Sequence, residues 1–144
     1  MQASELRIGN FIQTDKSIAM HAITISRLGD IKIRLISGDK DPVVYVAMFG
    51  NFRIAVQLSE CQPITLTDEW LGRFGFGKVD LHFHKKYQDD QVFCISGGKN
   101  NIWQFFVESE APYSENSIDI EIKYVHQLQN LYFALTNSEL IFKF

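Results

Sequence analysis

The strongest constraint on the fold lies in residues 118–144, IDIEIKYVHQLQNLYFALTNSELIFKF, where the hydrophobic period changes twice. Ile118, Ile120 and Ile122 alternate with Asp119, Glu121 and Lys123, the period of two expected of a half-buried strand. From Tyr124 the spacing becomes helical. Tyr124, Val125, Leu128, Leu131, Tyr132 and Leu135 share one stripe, with His126, Gln127, Gln129 and Asn130 on the other side. Asn137 follows where a helix turns into a left-handed cap, a conformation that Asn tolerates well. Residues 140–144 alternate again and predict a short last strand. Strand, helix and strand in succession predict that the core closes here.

The first part of the chain, residues 6–58, reads as all-β. Gly9 and Asn10 form a turn-like pair that opens the strand LRIGNFIQT. IAMHAITISRL runs to a tight turn at Gly29 and Asp30, and IKIRLI then alternates, with Lys32 and Arg34 outward. SGDKDP carries strong turn chemistry, and VVYVAMF and FRIAVQL flank a Gly50, Asn51 hairpin signal. Five short strands joined by tight turns predict a small SH3-like barrel or a bent meander.

Residues 61–78 predict a linking helix near 67–75. Thr67 is placed to cap it, Asp68 and Glu69 favour the positive end of its dipole, and Leu66 with Leu71 forms a hydrophobic staple. Gly75 and Gly77 stop it, and Trp70, Phe74 and Phe76 read as core anchors. Strand patterns return as VDLHFHKKY, QVFCIS and IWQFFVES, separated by QDD and GGKNN, and EAPYSENS is the longest polar connection. The expected fold is α+β and mostly β, with a barrel-like lobe over 1–60. An α+β lobe over 61–144 would carry helices near 67–75 and 124–136, the second covering an antiparallel sheet, and the two lobes are expected to form one compact structural unit.

Composition narrows the function classes. Twelve Phe residues and 46 % hydrophobic content suffice for a packed interior, and a net charge of −3 argues against a general nucleic-acid binder. Residues 1–60 carry seven Lys or Arg against six Asp or Glu, and residues 61–144 carry seven against eleven. Cys61 and Cys94 lack any CxxC spacing and support neither a disulfide framework nor a zinc knuckle. MQASELRIGN has no apolar signal-like core and no apolar run reaches membrane-spanning length, so a cytoplasmic, reduced setting is expected.

Three anchors carry a resemblance: ELRIGNFI, PITLTDEWLGRFGF and YVHQLQNLYFALTNSEL. Together they resemble a family of small uncharacterised proteins of gut Bacteroidota and their prophages and mobile elements, with Asn137 standing where Gly is more usual. The resemblance implies kinship with phage or mobile-element proteins and brings no activity, cofactor or catalytic residue with it.

Four groups of residues bear on chemistry. His82 and His84, with Asp80, fall on one face of a strand and form a His-x-His pair with a carboxylate, a pattern that can hold a metal. Without a third His nearby, the solvent face of a half-buried strand is the better reading, and no metal or cofactor is expected. The Gly97 to Asn101 stretch could cradle a phosphate with Lys99, but it lacks a following helix and explains itself as a hairpin turn. His126, Gln129, Asn130 and Phe133 form a polar edge on the last helix, able to bind a ligand or partner or to tie the helix to neighbouring strands. Lys32, Arg34 and Arg53, near Phe11, Tyr45 and Phe49, could form a peptide-binding or nucleic-acid-binding face, against which the balanced charge speaks for ordinary surface.

Catalysis has little support, since Cys94 sits among apolar neighbours that blunt a thiol and no Gly-x-Ser-x-Gly elbow occurs. The expected function is that of a non-catalytic interaction protein of a phage or mobile element, binding a host or phage protein, with an open strand edge available for a homodimer. The alternative is a module binding a small nucleotide-like ligand near His126 and Lys99.

Overall fold

The computed structural model describes residues 5–7, 9–14, 17–18, 21–22, 26–30, 43–47, 53–88, 91–109 and 120–143. The chain is α+β and mostly β, and it divides into two compact units. The first comprises Met1–Ile64 with Val125–Asn130, and the second Thr65–Tyr124 with Leu131–Phe144.

The first unit is built on an antiparallel sheet of β1 (Phe11–Thr14), β4 (Ser26–Asp30), β5 (Val43–Ala47), β6 (Arg53–Gln57) and β7 (Cys61–Gln62). Their order is β6-β5-β4-β1-β7, and β2 (Ser17–Ile18) pairs with β3 (His21–Ala22) as a separate ribbon. Of the apolar run 18–28, expected as one strand, the described residues are Ile18 in β2, His21–Ala22 in β3 and the start of β4. Gly29 and Asp30 do not form the expected tight turn. They lie inside β4, where Leu28 opposes Val46 and Asp30 opposes Tyr45, so Gly29 is the extra residue of a bulge. A 3-10 turn, Leu58–Glu60, joins β6 to β7, and the Glu60 carboxylate caps its start by accepting the Gln57 N–H at 3.1 Å. Leu6, Ile12, Val56, Leu58 and Ile64 are buried in this unit, with Val125 and Leu128 of the helix α2 (Val125–Thr136). The IKIRLI strand with Lys32 and Arg34, the Gly50, Asn51 hairpin with Phe49, and EAPYSENS lie outside the described residues.

The second unit is an antiparallel meander with the order β12-β11-β10-β9-β8, built from β8 (Gly77–Val79), β9 (His82–Gln88), β10 (Gln91–Gly97), β11 (Trp103–Ser109) and β12 (Ile120–Ile122). Phe83, Phe93, Ile95, Trp103, Phe105 and Ile122 are buried and, by register, share one face. Phe93 packs on Phe105 and on Tyr132, each at 5.4 Å between ring centroids. Full burial of a Phe stabilises by about 1.5–3 kcal/mol, so these rings anchor the unit.

Helix α1 (Asp68–Arg73) starts at Thr67, whose hydroxyl accepts the Trp70 N–H at 3.5 Å, and Leu66 and Leu71 are both fully buried as the staple requires. Its end is a Schellman closure. Gly75 takes a φ of +79°, its N–H donates to Gly72 O, and the Phe76 N–H donates to Leu71 O. The Trp103 indole N–H donates to Leu66 O at 3.0 Å, which fixes the start of α1 against the sheet.

Two strand expectations fail here. Residues 79–87 are not one strand, because Val79 pairs with His82 across a two-residue turn of Asp80 and Leu81, with Asp80 at a φ of +54°. Residues 140–143 alternate in burial but join no ladder. Their Lys143 N–H donates to Arg73 O at 2.8 Å, and Phe142 packs on Trp70 and Phe74. Helix α2 ends as its sequence demands, with Asn137 at a φ of +52°. Among the described residues no helix is long and apolar enough to cross a membrane.

Candidate functional site

Among the described residues of the first unit, the polar edge of α2 carries a connected hydrogen-bond network. Gln129 is buried to 1 % exposure. Its side-chain carbonyl accepts the Phe11 N–H at 2.8 Å, and its amide nitrogen donates to Gly9 O at 3.0 Å. Asn130 donates to Glu5 O at 2.8 Å and accepts from the Asn10 side-chain amide at 2.9 Å. Asn10 is fully buried, and its side-chain oxygen accepts the Arg7 N–H at 2.7 Å. The Arg7 guanidinium in turn donates to Gln129 O at 3.4 Å. Gly9 bends the chain between these contacts with a φ of +97°, where a side chain would be strained.

The geometry of Gln129 and Asn130 is that of a clamp on the turn around Gly9 and Asn10. Two of the three sequence anchors, LRIGN and HQLQN, are thus the two halves of one hydrogen-bond network. Helical periodicity alone places His126 and Gln129 on the side away from the apolar stripe, yet both are buried. The reason is that this side of α2 meets backbone polar groups rather than water, and carboxamides satisfy those groups. His126 is 2 % exposed, and burial pushes its pKa below the ordinary histidine value, opposed by the nearby Glu5 carboxylate. Phe133 is half-buried and belongs to the second unit.

Lys99 is exposed in the 3-10 turn Lys99–Asn101 of the second unit, whereas His126 belongs to the first. The N–H groups of Gly98, Asn101 and Ile102 donate to Ile102 O, Gly98 O and Lys99 O within the loop, so they are not aimed at a phosphate. Gly98 has a φ of +84°, and a Cβ there would lie 2.7 Å from the Trp103 ring. This stretch is a tight hairpin turn folded under an indole.

His82 and His84 lie on the sheet face opposite the buried aromatic one, 6.1 Å apart between ring centroids, and Asp80 sits in the turn rather than on their strand. Among the described residues no three ligand-type side chains gather into a metal-holding group. Instead, Cys94 on the neighbouring strand places its Sγ 3.4 Å from His84 Nδ1, directly across the ladder. Cys94 is fully buried there. Only the strand pairing could have revealed that contact, because the two residues belong to different sequence motifs.

Three features escaped the sequence reading. Arg7, Gly9 and Asn10 form the receiving half of the α2 clamp. Lys85 and Lys143 converge at Gly75. Leu81, Val79 and Ile102 are 80 %, 57 % and 41 % exposed. The register places these three at one end of the sheet, since Val79 opposes His82, His82 opposes Ser96, and Ser96 opposes Gln104. The turn at Asp80 and Leu81 and the turn 98–102 therefore project from the same end. No protein-family model matches the chain, and no curated protein or solved structure matches it either.

Proposed function

We propose that the chain is a non-catalytic protein-binding module of a phage or mobile genetic element, acting on a host or phage protein in the cytoplasm. The observation that carries this reading is the aliphatic end of the second sheet, where Leu81, Val79 and Ile102 face solvent beside two tightly built turns. Leu81 at 80 % exposure contributes little to burial, and an aliphatic tip of this kind suits contact with a complementary protein surface. The engagement of Gln129 and Asn130 within their own unit supports a structural role for the α2 edge and weakens the nucleotide-like alternative at His126 and Lys99.

The N-terminal strands are proposed to close as an SH3-like barrel. Strands β6 and β7 occupy opposite ends of the sheet order yet are joined by Leu58–Glu60 alone. A flat five-strand sheet would separate its end strands by about 19 Å, at roughly 4.8 Å per neighbour. A 3-10 turn advances only about 2 Å per residue, so this link supports a sheet curled until its ends meet.

The test is a binding comparison between wild type and Leu81→Asp, with the wild-type partner identified first by crosslinking through a photoreactive group at position 81. The variant is expected to keep its thermal midpoint within about 2 °C, the shift left by a surface change under about 0.5 kcal/mol. It is also expected to lose affinity at least tenfold. Undiminished affinity in a folded Leu81→Asp protein would remove the aliphatic tip from the interface. Sedimentation of the free protein distinguishes a second copy of the chain from another protein as the occupant.

A further inference from the structure

We propose that Lys85 and Lys143 form a site for a phosphate group, held between their two amino groups beside Gly75. The site lies within the second unit, away from the Gly97 to Asn101 turn that the sequence offered as a phosphate cradle. A Cβ built on Gly75 would lie 3.2 Å from the Lys85 Nζ and 3.8 Å from the Lys143 Nζ, so both ammonium groups stand against the face of this glycine where a side chain would otherwise be. Gly75 is required there by the backbone as well, as the left-handed residue that ends α1.

Both lysines are held in place. The Lys85 Nζ donates to Phe74 O at 2.9 Å and stands 5.7 Å from the centre of the Phe76 ring. The Lys143 backbone is tied to Arg73 O, which fixes the root of its side chain. Neighbouring cations have partners of their own: Arg73 pairs with Glu69 at 2.6 Å and Lys78 with Asp68 at 2.8 Å. Among the described residues no carboxylate pairs with Lys85 or Lys143. Two ammonium groups gathered at one glycine repel one another, and an anion in contact with both removes that cost. The repulsion is felt at Lys85, where burial first and the Lys143 charge second hold the amine below the ordinary lysine value.

The charge selects the ligand class. Two ammonium groups are balanced by a phosphate dianion, whose oxygens point in all directions and can accept N–H bonds from both at once. A single carboxylate neutralises only one of them. Lysine meets phosphate as a point charge and needs no planar fork. A free nucleotide and a phosphorylated side chain present the same group.

The experiment is a titration of the full chain with inorganic phosphate at constant ionic strength, followed by amide chemical shifts and by the Lys85 side-chain titration. Saturable shifts are expected at Gly75, Phe76 and Lys143, with the Lys85 pKa rising on binding. Lys143→Gln, an exposed substitution, is expected to weaken binding at least tenfold, whereas Lys99→Gln and Leu81→Asp leave it unchanged. Non-saturating shifts, equal shifts with chloride, or undiminished binding by Lys143→Gln would overturn the site. Titrations with AMP and with phosphoserine then separate the sources: the tighter of the two names the source, and binding of both below that of acetate overturns the assignment. The outcome is independent of whether Leu81 contacts a partner.

Discussion

The side chain of Gln129 stands to the backbone of Phe11 as one strand stands to the next, accepting its N–H at 2.8 Å while donating to the carbonyl of Gly9. A helix thereby supplies the hydrogen-bonding edge that a neighbouring strand would otherwise provide. The residues that do so are a carboxamide and a turn, neither of which is apolar. Within the first unit, Val125–Asn130 of α2 is thus held by directional bonds as well as by burial of Val125 and Leu128.

Gln129→Ala is expected to destabilise the protein by about 2–6 kcal/mol. It leaves two buried backbone groups without partners, each costing about 1–3 kcal/mol. Asn130→Ala, at a half-buried position, is expected to cost about 1 kcal/mol. Urea denaturation followed by far-ultraviolet circular dichroism measures both, with hydrogen exchange at Phe11 as the local readout. A larger loss for Asn130→Ala than for Gln129→Ala would contradict the clamp.

His126 makes stability depend on pH in one direction. Its pKa is lowered in the folded protein, so the unfolded chain takes up the proton first as pH falls. Stability is therefore full above the unfolded value near 6.5 and declines as pH falls from there towards the lower folded value. Denaturation midpoints at a series of pH values between neutral and mildly acid are expected to fall, and His126→Asn is expected to flatten that slope. A slope unchanged in the variant would assign the pH dependence to other groups.

Two glycines predict opposite signs. Gly98→Ala drives a methyl into the Trp103 ring at a positive φ and is expected to cost at least about 1 kcal/mol. Gly72, inside α1, has nothing within 4 Å of its missing Cβ, so Gly72→Ala is expected to stabilise by about 0.5–1 kcal/mol. Intrinsic fluorescence is the natural probe, because the two tryptophans, Trp70 and Trp103, both belong to the second unit.

The cysteines predict slow thiol chemistry. Cys61 is 6 % exposed and Cys94 is fully buried against His84. A water-soluble disulfide reagent is expected to react slowly with the native protein and with both thiols after denaturation. Rapid native labelling of Cys94, read by mass spectrometry, would show that the sheet face over it opens readily.

Where local chemistry decides structure, the sequence was readable. Thr67, the Leu66 and Leu71 staple and Gly75 bound α1, and Asn137 ends α2, because each acts within a few residues of itself. The misjudged places are those where distant partners decide. Asp80 and Leu81 carry no Gly or Pro, and their turn exists because Val79 and His82 pair across it. Residues 140–143 alternate like a strand, yet the partner beside Lys143 is the end of a helix, which offers one carbonyl and no ladder. His126 and Gln129 look like solvent-facing letters until the Gly9 and Asn10 turn is laid against them. Gln129 and Asn130 were legible as polar letters on α2, but their partners lie about 120 residues away.

That separation has a consequence for how the protein is made. The turn around Gly9 and Asn10 leaves the ribosome about 120 residues ahead of its fastening groups on Gln129 and Asn130. Closing so long a loop is entropically costly and slow relative to forming a local turn. The nascent segment around Gly9 therefore waits with its amides hydrated while the intervening chain emerges, and α2 acts as the latch that ends its exposure to proteases.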